Sequence, residues 1–513
     1  MAKSTLAKSE TDPNSSGYKC AQWMSQAKSW ELMSDLWESP MYVRSKGEKY
    51  LRKNPQENAK KYEQRLDNSV PQGKLRECIE TMAGMVFKDN PAPEKAPTAL
   101  ADLFKDIDAR GNSLHSFLQQ SFAKFLRDGG GAIHVNATKL SDAAREKVAN
   151  GEKLTAADRQ GDRAFWTWVE AREMIGYRED NVGGVVKPLQ IVIQRNEIIP
   201  DGQYGEAEIL RNYIFRIDGS FAVEYWDTKT GTWLADPDMP EGNTGQDEIT
   251  ISLAAPYGST PPLETLAMLD NLYYNKESDF DDWCHNACVP ERIYNFDSDS
   301  DAQKWKAELK NSASTARAMW GQYAKAYFNE VSGNGLEVVT NRLDKIEARI
   351  AQLGVGMLAP TEATPTKTAS EVIDTAGQRQ SKLAWYAREF ENCVEKAFYF
   401  TMLYMKSISG AAVEVTDETT LKLKMDFDRL TFTPERLQVF KDLLANGDMS
   451  KLTFWELVAK SEEMPESWTP ELEIERLNDE EKQMQESFGR NTINALKNAK
   501  DMPAMENVND TAL

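Results

Sequence analysis

The sequence has little that would place the chain in a membrane or an export pathway. Its 513 residues contain no uninterrupted apolar run of about 18 residues, the length that a membrane-spanning helix needs. The opening stretch MAKSTLAKSETDPNSSGYK is polar and lacks the apolar core of a signal peptide. With 41% hydrophobic and 28% charged residues, we expect a loose polar leader followed by a soluble globular chain.

Cysteine and histidine are also scarce. The five cysteines are odd in number and show no paired spacing, so we expect no disulfide framework and synthesis in a reducing cytoplasm. Cys284, His285 and Cys288 form a C-H-x-x-C run, but the chain has only three histidines and no second ligand pair at zinc-finger spacing. The run is therefore interpreted as packing on a helix face, and neither a metal nor a cofactor is expected.

The motifs of common catalytic sites are missing. No phosphate-binding G-x-x-x-x-G-K-[ST] run occurs, and the three glycines at 129–131 are interpreted as a turn between a helix and a strand. The nucleophile elbow G-x-S-x-G is absent as well, and so few histidines leave little basis for a Ser/His or Cys/His pair.

Two acidic clusters are the remaining candidates for catalysis. They could in principle hold a pair of metal ions for phosphodiester cleavage, and they comprise Asp279, Asp281 and Asp282, and Asp297, Asp299 and Asp301. The alternative, which we favour, is a solvated helix face for the first cluster and an acidic loop for the second. We therefore expect that the protein is not an enzyme.

Positive charge is in deficit. The chain has 61 Lys and Arg against 81 Asp and Glu, a formal net charge of −20. This argues against a protein that coats or grips nucleic acid, because such proteins carry a clustered basic face. It does not exclude a conduit, since an acidic lining repels phosphate and lets DNA slide past.

Hydrophobic periodicity predicts a mainly helical α+β chain with a β-rich middle. Apolar residues at steps of three and four predict helices over 22–37, 75–86, 113–127, 262–288, 341–353 and 369–406. Strands are predicted at AIHVNA, FWTWVEA, PLQIVIQ, ILRNYIFRI and SFAVEYW, which favour a small antiparallel sheet or barrel. Further strands are predicted at Arg292–Phe296, AKAYFNE, GLEVV, AAVEVT and LKLKMDF.

Several stretches resemble the portal proteins of tailed bacteriophages. The similarity is to siphophage-type portals, in the group catalogued as a phage domain of unknown function. The order of the stretches carries the resemblance, and they are SKGEKYL, LRECIETMAGMVFKDNP, GNSLHSFLQQSFAKFLRDGGGAIHV, PPLETLAMLDNLYYNKESDFDDWCHNACVPERI, TKTASEVIDTAGQRQSKLAWYAREFENCVEKAF and LLANGDMSKLTFWELVAKSEEMPESWTPELEIERL.

The resemblance implies a portal fold assembled as a ring, with wing, stem, clip, tunnel loop and crown. The implied domains are 1–261 as the N-terminal wing, 262–288 as a stem helix, 289–340 as the clip, 341–353 as the second stem helix, 354–369 as the tunnel loop, 370–433 as the C-terminal wing with its long helix, and 434–513 as the crown and tail.

Two sets of residues are predicted to contact DNA or a partner. The small and polar tunnel loop would line the DNA channel with Thr361, Glu362, Thr364, Thr366 and Lys367. Cations of the clip would contact DNA or the head-tail adaptor, and they are Lys304, Lys306, Lys310, Arg317 and Lys325. The alternative interpretation is an ordinary surface connection for the loop and a solvated helix face for the clip cations.

The function implied is a structural channel of the virion. The ring, a dodecamer by resemblance, would sit at the capsid vertex and pass double-stranded viral DNA during packaging and ejection. Its implied partners are copies of itself, the terminase large subunit, the head-tail adaptor and the major capsid or scaffolding protein, with no membrane involved. Two alternatives stay open: a metal-dependent DNA-processing enzyme of a phage, and a generic intracellular scaffold.

Overall fold

The protein is mixed α/β, and its helices and strands are seen in a computed structural model. The structure describes residues 2–55, 57–138, 162–237, 241–288, 291–296, 316–320, 327–329, 334–354, 369–409 and 418–423, with short pieces at 146–147, 239, 298–300, 303, 415–416 and 476. The chain divides into two compact units, Met1–Asp426 and Phe427–Leu513. The elements below belong to the first unit, and the predicted crown lies outside the described residues apart from Arg476.

The first 130 residues are mostly helical, as the periodicity predicts. The helices are α1 (Ala2–Ser9), α2 (Ala21–Trp37), α3 (Pro40–Ser45), α4 (Ala59–Asn68), α5 (Lys74–Val86) and α6 (Leu114–Asp128), with a short strand β1 (Pro93–Glu94) before the last. Ser113 caps α6 by accepting a hydrogen bond from the Ser116 N–H. Gly129 ends α6 at φ +69°, and a side chain there would collide with the Thr260 carbonyl oxygen.

The polar leader is not loose, so this expectation is wrong. Its first residues form α1, and Lys19 pairs with Glu10 at 2.7 Å. The Cys20 N–H then donates to the Ile175 carbonyl at 3.0 Å, which ties the leader to the sheet region. Tertiary contacts of this kind compensate for the weak apolar signal of the segment itself.

The middle of the chain is β-rich, but its strands form two sheets instead of one. The strands are β2 (Gly131–Ala137), β3 (Ala164–Glu170), β4 (Met174–Val182), β5 (Val185–Asp201), β6 (Gly205–Arg216), β7 (Ser220–Asp227), β8 (Thr232–Ala235), β9 (Glu241–Asn243) and β10 (Ile251–Leu253). One antiparallel sheet has the order β10-β2-β3 and the other β4-β5-β6-β7-β8, with β9 paired to β7.

The separation of β3 from the larger sheet has a packing cause. Its residues Trp166 and Trp168 are both buried. The indole N–H of Trp166 donates to Thr401 at 2.7 Å, so β3 lies under a later helix and not beside β4. The sequence of β3 alternates like that of the other strands, and alternation alone does not identify the sheet to which a strand belongs.

The last third alternates between helices and short strands. It comprises α7 (Glu264–Cys288), β11 (Glu291–Phe296), β12 (Ala316–Trp320), β13 (Tyr327–Asn329), α8 (Asn334–Leu353), α9 (Ala369–Ser409) and β14 (Thr420–Leu421). β11 pairs in parallel with β12 and antiparallel with β13, which makes a small three-stranded sheet. β14 pairs with β1.

The segment GLEVV is helical, which corrects the predicted strand and moves the start of α8 from 341 to Asn334. Val339 continues the apolar stripe of Leu343, Ile346 and Ile350 at helical steps of four and three. The position of the half-buried Val339 on this stripe outweighs the strand preference of the two adjacent valines.

α9 closes the core of the first unit. Its apolar side packs on the β10-β2-β3 sheet, where the Ser252 hydroxyl donates to the Cys393 carbonyl at 2.8 Å. Phe390 stacks on Phe125 and lies edge-on to Phe122, with ring centroids 6.0 and 5.3 Å away. Aromatic pairs in these geometries add to the free energy gained from burial alone.

No helix in the described part of the chain combines the length and apolarity that a membrane crossing needs.

Candidate functional site

One of the ten residues predicted to contact DNA or a partner lies in the described part of the chain. Arg317 lies in β12, where its backbone is in register with Ile293 of β11. The other nine lie outside the described residues, and they are Lys304, Lys306, Lys310, Lys325, Thr361, Glu362, Thr364, Thr366 and Lys367. The geometry available is therefore that of the elements on either side of them, α7, α8 and α9.

α7 and α8 pack against each other as an antiparallel pair. Gly354, directly after α8, lies beside Leu266 near the start of α7, and a side chain at Gly354 would come within 3.3 Å of Leu266 and 2.9 Å of Cys78. Glycine is required at this close approach. Earlier in α8, Glu347 lies near Lys74, which in turn lies 4.9 Å from the ring of Tyr273. The segment between α7 and α8 therefore begins and ends on this helix pair, and the segment after α8 begins beside the start of α7.

α8 buries a narrow stripe and exposes the rest of its surface. Leu343, Ile346 and Ile350 are 8%, 3% and 5% exposed. The exposed charged residues of α8 are balanced in sign, and they are Glu337, Arg342, Asp344, Lys345, Glu347 and Arg349. A helix of this kind needs one neighbouring helix and tolerates solvent around the remainder.

A buried carboxyl joins α5, α7 and α8. The first residue before α5 is Gly73, which has no side chain to cap the helix. Asp270 of α7 takes that role by accepting a hydrogen bond from the Leu75 N–H at 3.1 Å. Burial raises the pKa of Asp270 to about 6, and the hydrogen bond and nearby Lys74 oppose the shift. Lys74 itself donates to Glu347 of α8.

A second buried polar cluster joins α4 to α7. Arg65 is 3% exposed and pairs with Glu57 at 2.9 Å. It also donates to Ser278 at 3.0 Å, and Asp279 lies 3.6 Å away. The hydrogen bonds from Arg65 lower the pKa of Glu57. The cluster satisfies its own charges, which is the usual condition for burying an arginine.

The candidate two-metal site of the first acidic cluster is not supported by these contacts. Asp279 is held by Arg65, and Asp282 pairs with Lys61 at 3.1 Å. A cleft of about 920 Å³ opens between α4 and α7, but Lys60, Lys61 and Arg65 balance its carboxylates. Among the described residues, no three His, Cys, Asp or Glu side chains are grouped to hold a metal ion.

The second acidic cluster and the C-H-x-x-C run can be followed only in part. Asp299 accepts a hydrogen bond from Gln303 at 3.1 Å, and Asp297 and Asp301 lie outside the described residues. His285 and Cys288 belong to the last turn of α7, although their side chains are also outside that part of the chain.

Asp270 is the functional candidate that the sequence interpretation missed. Its position follows Leu263 and Leu266 at helical steps on the buried face of α7. A single carboxyl within an apolar stripe is a detectable signal, because such a group needs a dedicated partner when it is buried.

Comparisons with known proteins add three observations. A family model described as a domain of unknown function, DUF4055, matches residues 262–405, from just before α7 to near the end of α9. No curated protein matches the chain. Among solved structures, one chain of "Virion of native gene transfer agent (GTA) particle" is similar at 9% sequence identity and a TM-score of 0.36, over 75% of this chain and 89% of that chain. At that score the similarity does not establish a shared fold.

Proposed function

We propose that this protein is a phage portal protein, one subunit of a ring-shaped DNA channel at a capsid vertex. The observation that carries the proposal is the arrangement of α7, α8 and α9. In sequence, the strands of a small sheet lie between the paired helices α7 and α8. The long helix α9 follows and packs on strands of the first β-rich region. This is the order of stem, clip, stem and wing that the resemblance implies.

The domain match supports the same assignment. Residues 262–405 span both proposed stem helices, the proposed clip and tunnel loop, and most of α9. Two of the stretches that resemble portals, PPLETLAMLDNLYYNKESDFDDWCHNACVPERI and TKTASEVIDTAGQRQSKLAWYAREFENCVEKAF, fall at the two ends of this range.

The charges suit a channel that DNA passes without adhering. The exposed charged residues of α8 cancel, and the chain as a whole carries −20. A surface of this balance offers phosphate no continuous cationic track, so few counterions would be released on contact. The free-energy barrier for each step of DNA along the channel would then be small.

The protein would act as a conduit and a docking platform, without catalysis of its own. The packaging motor, the terminase large subunit, would supply the energy for translocation. The head-tail adaptor would dock on the opposite side, and the capsid or scaffolding protein would hold the ring in the shell. The pairing of Asp279 and Asp282 with cations favours this function over that of a metal-dependent nuclease.

Imaging of the purified protein tests the proposal directly. Negative-stain micrographs should show closed rings with a central hole, because a channel needs a cyclic assembly. Light scattering should give one species, near 695 kDa for twelve copies of 57.9 kDa. A protein that stays monomeric at high concentration, without any assembly partner, would contradict the proposal.

A further inference from the structure

The larger sheet carries a projecting two-stranded arm. β5 is paired with β4 only as far as Ile193, and β6 is paired with β7 only from Arg211 onward. Residues 196–210 therefore form a ribbon with no third strand on either side, which we call the acidic arm. None of its side chains is buried, and Ile198 and Tyr204 are 65% and 90% exposed.

The charges of the acidic arm have one sign. Residues 196–210 contain Glu197, Asp201, Glu206 and Glu208 and no Lys or Arg. Glu197 is neutralised by Arg211 at 2.7 Å at the base of the arm. In the cross-strand register, Glu208 faces Ile198 and Glu206 faces Pro200, so two carboxylates share one side of the ribbon with an exposed isoleucine.

An isolated ribbon of this kind is marginally stable in water. Ile198 and Tyr204 add exposed apolar surface to the acidic arm. The arm therefore has the character of a docking element whose partner is basic and partly apolar.

One segment of the same chain has that character. Residues 41–55 and 57–62, which we call the basic patch, are folded on themselves by the Tyr62 hydroxyl, which donates to the Leu51 carbonyl at 3.0 Å. Met41 and Tyr42 are 66% and 36% exposed. The exposed cations for which the described residues supply no ion pair, and which do not line the cleft beside α7, are Lys46, Arg52 and Lys53.

We propose that the acidic arm of one copy docks on the basic patch of the next copy around the ring. This inference rests on the ring proposed above. A cyclic ring joins two different surfaces of each subunit, because the contact is head-to-tail. Copies that each carry −20 repel one another, so assembly needs a local pair of opposite charges to offset the repulsion. The arm and the patch supply that pair within one sequence.

Charge reversal on each side separates the two halves of the contact. An arm-reversed variant carries Glu206→Lys and Glu208→Lys, and a patch-reversed variant carries Arg52→Glu and Lys53→Glu. All four side chains are exposed, so the monomer should keep its fold, which circular dichroism checks. A control variant, Lys105→Glu with Arg110→Glu, reverses two exposed cations elsewhere on the surface.

Each reversed variant alone should form about tenfold fewer rings than the wild type, because like charges then face each other at every contact. An equimolar mixture of the two should restore rings. In the mixture, the cationic arm of the arm-reversed variant meets the anionic patch of the patch-reversed variant. The unchanged acidic arm of the patch-reversed variant likewise meets the unchanged basic patch of the arm-reversed variant. The control variant should assemble like the wild type.

The outcomes distinguish this docking contact from the ring itself. A wild type without rings overturns both. Wild-type rings together with normal assembly of both reversed variants overturn the docking contact alone. Loss of assembly in both variants without recovery on mixing also overturns it, because the charges would then act on something other than each other, such as nucleic acid on the basic patch.

Discussion

At the scale of single residues, buried charged groups connect the helices of the helical region. Arg65 holds Glu57 and Ser278 inside the junction of α4 and α7. Asp270 holds the first turn of α5 from outside that helix. Both groups connect elements that are far apart in the chain, so they specify which helices meet as well as how tightly they pack.

Asp270 should make the stability of the protein depend on pH. Its pKa in the folded state is about 6, above the ordinary value of 3.8, so its contribution to stability is present below pH 3.8 and lost as pH rises through 6. Asp270→Asn should keep a hydrogen-bond acceptor for the Leu75 N–H and remove this titration. The advantage of the variant over the wild type in unfolding free energy should therefore grow by about 2 kcal/mol between pH 4 and pH 7.

Chemical denaturation of both proteins at several pH values measures this difference. A difference that is the same at pH 4 and pH 7 would show that Asp270 does not titrate as its burial requires.

At the scale of elements, periodicity located most helices and several strands because burial on one face leaves a regular trace. The long helix α9 and the helix α6 with its cap at Ser113 agree with the sequence within a few residues. The division into two sheets was not predictable, since β3 alternates like its neighbours and its pairing with β2 and its packing under α9 are tertiary contacts. The leader was misjudged because its contacts are tertiary.

The predicted contact residues stay a prediction, since all of them except Arg317 lie outside the described residues. Two of the stretches that resemble portals overlap the range of the domain match, and the other four lie outside it. The clip cations were chosen by charge alone, and charge does not say which side chains share a surface. Asp270 was passed over because a lone acid in a helix usually faces solvent.

The pairing of α7 with α8 should depend on the buried stripe of α8. Ile346 is 3% exposed, so Ile346→Ala should lower the free energy of unfolding by about 2–5 kcal/mol through the cavity it leaves. Val338 on the same helix is 69% exposed, and Val338→Ala should cost less than about 0.5 kcal/mol. Urea denaturation of the two variants beside the wild type gives the comparison. Equal losses would mean that α8 does not pack on α7 through this stripe.

At the scale of the whole molecule, the protein combines a strong negative charge with a proposed role that requires many copies side by side. The net charge of −20 per copy favours solubility of the single chain and opposes crowding of copies. Assembly should therefore be sensitive to ionic strength, since salt screens the general repulsion and the specific contact between acidic arm and basic patch alike.

The segment between α8 and α9 should affect DNA and not assembly. Deletion of residues 360–365, which removes two prolines and small polar residues from the proposed tunnel loop, should leave rings intact. It should reduce the DNA that filled particles retain, because a shorter loop no longer narrows the channel. Counting rings by electron microscopy and measuring DNA in particles tests both halves. Particles that package and hold DNA normally would contradict the assignment of this loop.

β5 connects two distant parts of the surface, and a short buried sequence in its middle fixes the position of both. Its 17 residues extend for about 58 Å, from the turn with β4 at one end to the acidic arm at the other. Only Ile191, Val192 and Ile193 in its middle are buried. One codon inserted within these three residues would slide the strand by a single position and turn every side chain beyond the insertion to the opposite face. Insertions here should therefore be far less tolerated than insertions at Gly183-Gly184 or Gly202, where each hairpin turns in solvent.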